Sequence, residues 1–262
     1  MRLICGALVD QSPRNHAAGF PAENKPKVKT QMRRLVQASL GLLAWSLLQA
    51  SPASAQLKGN PDNVCRNGYF PRESTSYRLA KIKGAAGDRI YFHGDDNERC
   101  PDDQACRLKT YVISNDEVIV SRTFGKFACS WFQPRKGTET VGWIETDRLA
   151  WLGDTRPPRM RDWLGEWRAY DNVIRISKSK EASMLAIKGE ATWGSGSRTH
   201  SGELDYDAKP AADKMKFGDG TDERDCQVTM QFVGKYLVVG DNLHCGGANV
   251  SFSGVYQRRP KR

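Results

Sequence analysis

The chain has 262 residues, with 40 Lys/Arg against 30 Asp/Glu and a formal net charge of +10. Half of that excess lies in residues 1–55, which hold seven basic and two acidic side chains; the rest of the chain carries 33 against 28, a net of +5 over 207 residues. Such a balance is ordinary for solubility, with a mild attraction to anionic surfaces, and argues against a nucleic-acid binder, which needs a concentrated basic face.

In chain order, Met32-Arg33-Arg34, the mostly apolar residues 35–48 and Ala53-Ser54-Ala55 form the three parts of a secretory signal peptide. The apolar stretch is shorter than the roughly 20 residues a membrane-spanning helix needs. Cleavage after Ala55 leaves a chain that begins at Gln56 and has no integral membrane segment. Residues 1–31, rich in Pro and Lys and without periodicity, are expected to be a disordered leader ahead of the true start at Met32. The implied compartment is periplasmic or extracellular.

Six cysteines remain beyond the leader: Cys65, Cys100, Cys106, Cys129, Cys226 and Cys245. In an oxidising compartment an even set is expected to pair. Cys226 and Cys245 are the only two beyond residue 150, so they are expected to bond to each other. Cys100 and Cys106 flank a Pro-Asp-Asp loop and close a short ring, which leaves Cys65 for Cys129. Their spacings do not fit a structural zinc site. Asp95, Asp96, Glu98, Asp102 and Asp103 crowd the loop around Cys100, but without the alternate spacing and sharp-turn Gly of a calcium loop. No metal or other cofactor is expected.

Two segments follow, residues 56–152 and 163–262, separated by a charged Pro-Pro stretch at 153–162 that can continue neither a helix nor a central strand. Both read as all-β. Short alternating apolar runs such as Arg89-Ile90-Tyr91-Phe92, Val118-Ile119-Val120, Val173-Ile174-Arg175-Ile176 and Tyr236-Leu237-Val238-Val239 are each bounded by turn residues. No stretch keeps a helical period for long.

The run Gly125-Lys126-Phe127-Ala128-Cys129-Ser130-Trp131-Phe132, then Val141-Gly142-Trp143-Ile144 and the closing Arg148-Leu149, resembles the second half of a bacterial Src-homology-3-like domain. That resemblance implies a small barrel that binds peptidoglycan stem peptides or protein partners, with Trp131, Phe132 and Trp143 lining or bordering the ligand groove. Alternation then sends one of Trp131 and Phe132 to the core and the other to the opposite face. The opening Trp163-Leu164-Gly165-Glu166-Trp167 is similar to the start of lipocalin- and avidin-like barrels, where the Trp plugs one end. The closing Gly254-Val255-Tyr256-Gln257-Arg258 would supply a final strand whose Arg packs over that Trp. Trp167 and Trp193 are expected in the core.

No nucleophile elbow, zinc-protease helix or phosphate loop is present. His200 and Glu203 have the chemistry of an acid/base pair, yet read better as a polar patch. His200, Asp241, Asn242 and Asn249 are carried as candidate ligand contacts, the last three in a Gly-Gly loop pinned by Cys245. The expectation is a non-enzymatic binding protein for a cell-wall fragment or envelope protein. The alternative is an inhibitor of a lysozyme-like or proteolytic hydrolase that inserts the Cys245-Gly246-Gly247 loop.

Overall fold

The computed structural model describes residues 61–153 and 156–259; the leader and signal segment lie outside the described residues. The fold is all-β, in two antiparallel sheets. The first sheet has seven strands: β1 (Arg78–Ile82), β2 (Arg89–His93), β3 (Arg107–Ile113), β4 (Glu117–Phe124), β5 (Phe127–Phe132), β6 (Thr140–Glu145) and β7 (Leu149–Trp151). Their spatial order is β3-β2-β6-β5-β4-β1-β7. A two-residue loop joins β4 to β5 and places Gly125 first, at φ +55°, the signature of a hairpin turn whose twist matches the strands. A 3-10 turn at Thr146–Arg148 leads into β7.

After a one-turn helix, α1 (Met160–Trp163), the second sheet takes eight strands: β8 (Gly165–Ala169), β9 (Asn172–Lys178), β10 (Leu185–Trp193), β11 (His200–Ala208), β12 (Lys214–Gly218), β13 (Gln227–Val233), β14 (Tyr236–Asp241) and β15 (Gly254–Arg258). All neighbours are consecutive except β8 and β15, the first and last, which pair through Gln257 with Arg168 and Arg258 with Trp167. The two free edges belong to consecutive strands, β11 and β12. Across them Tyr206 meets Phe217 with ring centroids 5.0 Å apart and donates to Asp219. The sheet is therefore nearly closed into a barrel, and side chains fill its interior. Trp163, Trp167, Ile174, Leu185, Ile187, Leu204, Met230, Leu237 and Phe252 are among its buried residues. Arg258 lies over the Trp167 ring at 4.6 Å, as the sequence suggested.

Alternation explains most of this burial. In β10 the pattern is buried at Leu185, Ile187, Gly189 and Ala191 and open between them, one face to the core and one to water. β5 departs from it: Phe127 through Trp131 are all buried. Its Ala128 side packs in the first sheet's own core, against which Phe132 is partly buried. Its Phe127, Cys129 and Trp131 side faces a second cluster with Phe70, Tyr77, Tyr236, Val238 and Val255. The second cluster draws on both sheets and on residues 61–77, a strap that runs between them.

Three disulfides are formed, Cys65–Cys129, Cys100–Cys106 and Cys226–Cys245, in the expected pairing and consistent with an oxidising compartment. Cys65–Cys129 ties the strap to β5. Asp95 of the acidic loop accepts from Cys65 N and Arg66 Nε, both at 2.8 Å. Another clamp is Arg122, whose guanidinium donates to the carbonyls of Asp62 and Val64 and to Glu73. On its far side the strap reaches the second barrel. Tyr77 N donates to Gln231 Oε1 at 2.7 Å, and Gln231 Nε2 returns a bond to Tyr77 O at 3.1 Å.

Candidate functional site

A groove of about 670 Å³ opens between the strap and the outer face of β12–β14. Its formation follows from three local facts. Alternation along Lys214-Met215-Lys216 turns Met215 into the barrel core and both lysines outward. Gly240 brings β14 against the strap, since a Cβ there would collide with the carbonyl of Pro71. Lys214 Nζ donates to Thr75 O at 2.6 Å and fixes the strap's height above the floor. Thr229, Gln231 and Gln227 of β13 line the floor, with Pro71, Ser74 and Tyr77 on the wall.

The groove's electrostatics are one-sided. Arg72, Lys209, Lys214 and Lys216 line it, and among the described residues none has a carboxylate partner within 4 Å. The one acidic side chain on its lining, Asp241, is buried and already satisfied. Its carboxylate accepts from Ser251 Oγ and Ser253 Oγ at 2.7 Å and from Phe252 N at 2.8 Å. A volume of this size suits a small ligand or a short polymer segment. Its surplus of ammonium and guanidinium donors suits carboxylates or phosphates.

The residues named from sequence are scattered. Trp131 and Trp143 are buried, and neither lines this groove. Trp131 sits edge-on to Tyr236 at 5.0 Å and donates to Glu139, beside a cavity of about 310 Å³ between the sheets. Trp143 donates to the strap carbonyl of Asn63 and lies beneath Arg122. Phe132 is half-buried against the first sheet's core. The face that alternation assigns to solvent is occupied by the strap and the second barrel, which local pattern cannot reveal.

Asp241 and Asn242 border the groove but act first as braces. Asn242 Oδ1 accepts from Gln227 N, and its Nδ2 donates to the carbonyls of Glu223 and Asp225. Asn249 is exposed with φ 64°. His200 lies at the other end of that loop, beneath Gly247, and pairs across strands with Trp193. Trp193 is 48% exposed rather than core. The reason is geometric: β10 pairs with β9 only as far as Glu190, and beyond the buried Ala191 the exposed Thr192 and Trp193 are paired with β11 alone. His200 and Glu203 are three residues apart on one strand and so project to opposite faces, which rules out a joint acid/base role. The Cys245-Gly246-Gly247 turn lies flat on β11, with Gly247 N donating to Ser201 O, and does not project as a wedge. Among the described residues no cluster of His, Cys, Asp and Glu is arranged to hold a metal, and no helix is long and apolar enough to cross a membrane.

Sequence reasoning passed over the four groove cations; the i, i+2 spacing of Lys214 and Lys216 was the available signal. In comparisons with known proteins the chain matches no family model, no curated protein and no solved structure.

Proposed function

We propose that this chain is a non-enzymatic binding protein of the cell envelope that holds an anionic cell-wall fragment in the groove between the strap and β12–β14. The observation that carries the reading is the set of four cations that, among the described residues, have no carboxylate partner, around a cavity of ligand size. Peptidoglycan stem peptides carry free carboxylates, and charge-assisted bonds to them are the strong ones. The disulfides fit an oxidising compartment, and the sequence of residues 32–55 fits export. Further support comes from likeness. The sequence of residues 125–149 resembles the second half of a bacterial Src-homology-3-like domain, and Trp163-Leu164-Gly165-Glu166-Trp167 is similar to the start of lipocalin- and avidin-like barrels.

The test is co-sedimentation of the full chain with purified peptidoglycan over a salt series. Retention that weakens with salt, as screening shortens toward the roughly 8 Å Debye length of physiological buffer, and that is lost in the Lys214→Glu/Lys216→Glu variant, supports the reading. No retention, or retention indifferent to both, overturns it.

A further inference from the structure

The β2–β3 hairpin carries a second charged surface, which shares no residue with the groove. β3 ends its sheet and pairs only with β2. Five of its seven residues, Arg107, Lys109, Thr110, Tyr111 and Ile113, are exposed, and among the described residues no strand pairs with its outer edge, although Ile113 N donates to Asp116 Oδ2 and Ile113 O accepts from Asp116 N. Alternation puts Arg107, Lys109, Tyr111 and Ile113 on one face. Cross-strand pairing sets Tyr91 opposite Tyr111 and Arg89 opposite Ile113.

These side chains form a stacked row. The two tyrosine rings lie 5.6 Å apart, Arg107 stacks over Tyr91 at 3.6 Å, and Arg89 stacks over Tyr111 at 4.7 Å. Among the described residues neither arginine nor Lys109 has a carboxylate within 4 Å. Stacking on a ring orients a guanidinium while leaving its N–H fork free for a planar anion. Tyr111 and Ile113 are also 40% and 45% exposed, which adds an apolar end to the cationic one.

Two needs are therefore open on one strand among the described residues: a sheet edge with no neighbouring strand and cations with no carboxylate beside them. We propose that β3 is a docking edge for an acidic peptide segment of a partner protein. The segment adds as a strand beside β3, with carboxylates opposite Arg107 and Lys109 and an apolar side chain against Tyr111 and Ile113. Basic residues on a free edge repel neutral self-pairing and copies of the same strand; here they also select the charge of what is admitted. An anionic glycan would satisfy the cations but not the backbone edge or Ile113, so the peptide is favoured.

The experiment uses the full chain and a fluorescent Glu-Val peptide that places two Glu and then two Val at successive alternate positions, with Thr between them, so that all four share one face. Its controls are the same peptide N-methylated at alternate residues, a Lys-Val counterpart and polygalacturonate. The proposal expects binding of the Glu-Val peptide with slowed amide exchange in β3, loss of binding on N-methylation, and none for Lys-Val. Arg107→Glu/Lys109→Glu, checked for a native melt, weakens binding at least about tenfold by like-charge repulsion. No binding of the Glu-Val peptide, or equal binding of its N-methylated form, overturns the proposal whatever the variants do. So does binding of polygalacturonate with equal strength and without exchange protection, since the surface then reads charge alone. Self-association of the chain that competes with the peptide would assign the edge to a second copy instead.

Discussion

Arg122 is the residue whose loss the fold should feel most sharply for a single polar change. Its guanidinium reaches Glu73 Oε2 at 3.2 Å, the Asp62 carbonyl at 2.9 Å and the Val64 carbonyl at 2.5 Å, and it lies over Trp143. The Glu73 side chain is only 12% exposed, and its Oε1 has no hydrogen-bond partner. Arg122→Ala would leave that carboxylate buried without its cation. Breaking one side of a buried pair typically costs about 3–5 kcal/mol; with Arg122 itself 28% exposed, the low end, about 3 kcal/mol, applies.

The loss should depend on pH. Burial holds the Glu73 carboxyl above its ordinary 4.5, while Arg122 pulls it back down. A carboxyl whose folded pKa is raised favours folding below 4.5 and loses that contribution as pH climbs through the raised value. Without Arg122 the folded value rises further, so the window extends to higher pH. Urea unfolding followed by tryptophan fluorescence should therefore show the deficit of Arg122→Ala largest at neutral pH and smaller in acid. Adding Glu73→Gln should restore part of it at neutral pH and little in acid. A deficit below about 1 kcal/mol, the range of a surface pair, or one independent of pH, would refute the reasoning.

Other consequences are as direct. Replacing Cys65 and Cys129 by Ala frees a 64-residue separation and should cost about 4 kcal/mol, against about 2 for the six-residue Cys100–Cys106 pair; denaturant midpoints rank them. Gly240→Ala forces the strap away from β14 and should weaken wall-fragment binding more than it lowers the melting temperature; a variant that binds normally would contradict the groove's construction. Asp241→Ala strands Ser251, Ser253 and the Phe252 amide, and should cost about 1–3 kcal/mol with faster amide exchange across residues 241–253. Burial, and then the bond to Asp219, push the Tyr206 hydroxyl up to about 12. Its contribution to stability is complete below 10 and lost as pH rises through about 12, so spectrophotometric titration of the tyrosines should show a late, alkaline phase that Tyr206→Phe reduces.

Much of the architecture could be read from local pattern. Period-two alternation marks the strands, Gly125-Lys126 marks a tight hairpin, and the position of Cys226 and Cys245 leaves them only each other. Alternation could not place the aromatic candidates, because it says which face a side chain takes, not what covers it. Trp143 is capped by Asn63, 80 positions away in sequence, and Trp131 by Tyr236 of another sheet. Trp193 looked like core because its type is usually buried; its exposure depends on where β9 stops. The groove has the same origin: its wall and floor, residues 71–77 and β12–β14, are remote in the chain, and only the lysine alternation was local.

The most direct test of the groove is hydrogen exchange on the full chain with and without a soluble peptidoglycan disaccharide-peptide bearing free carboxylates. The account predicts slowed exchange in residues 71–77 and in β12–β14, absent in Lys214→Glu/Lys216→Glu. Protection confined to other segments, or none at saturating fragment, would contradict it.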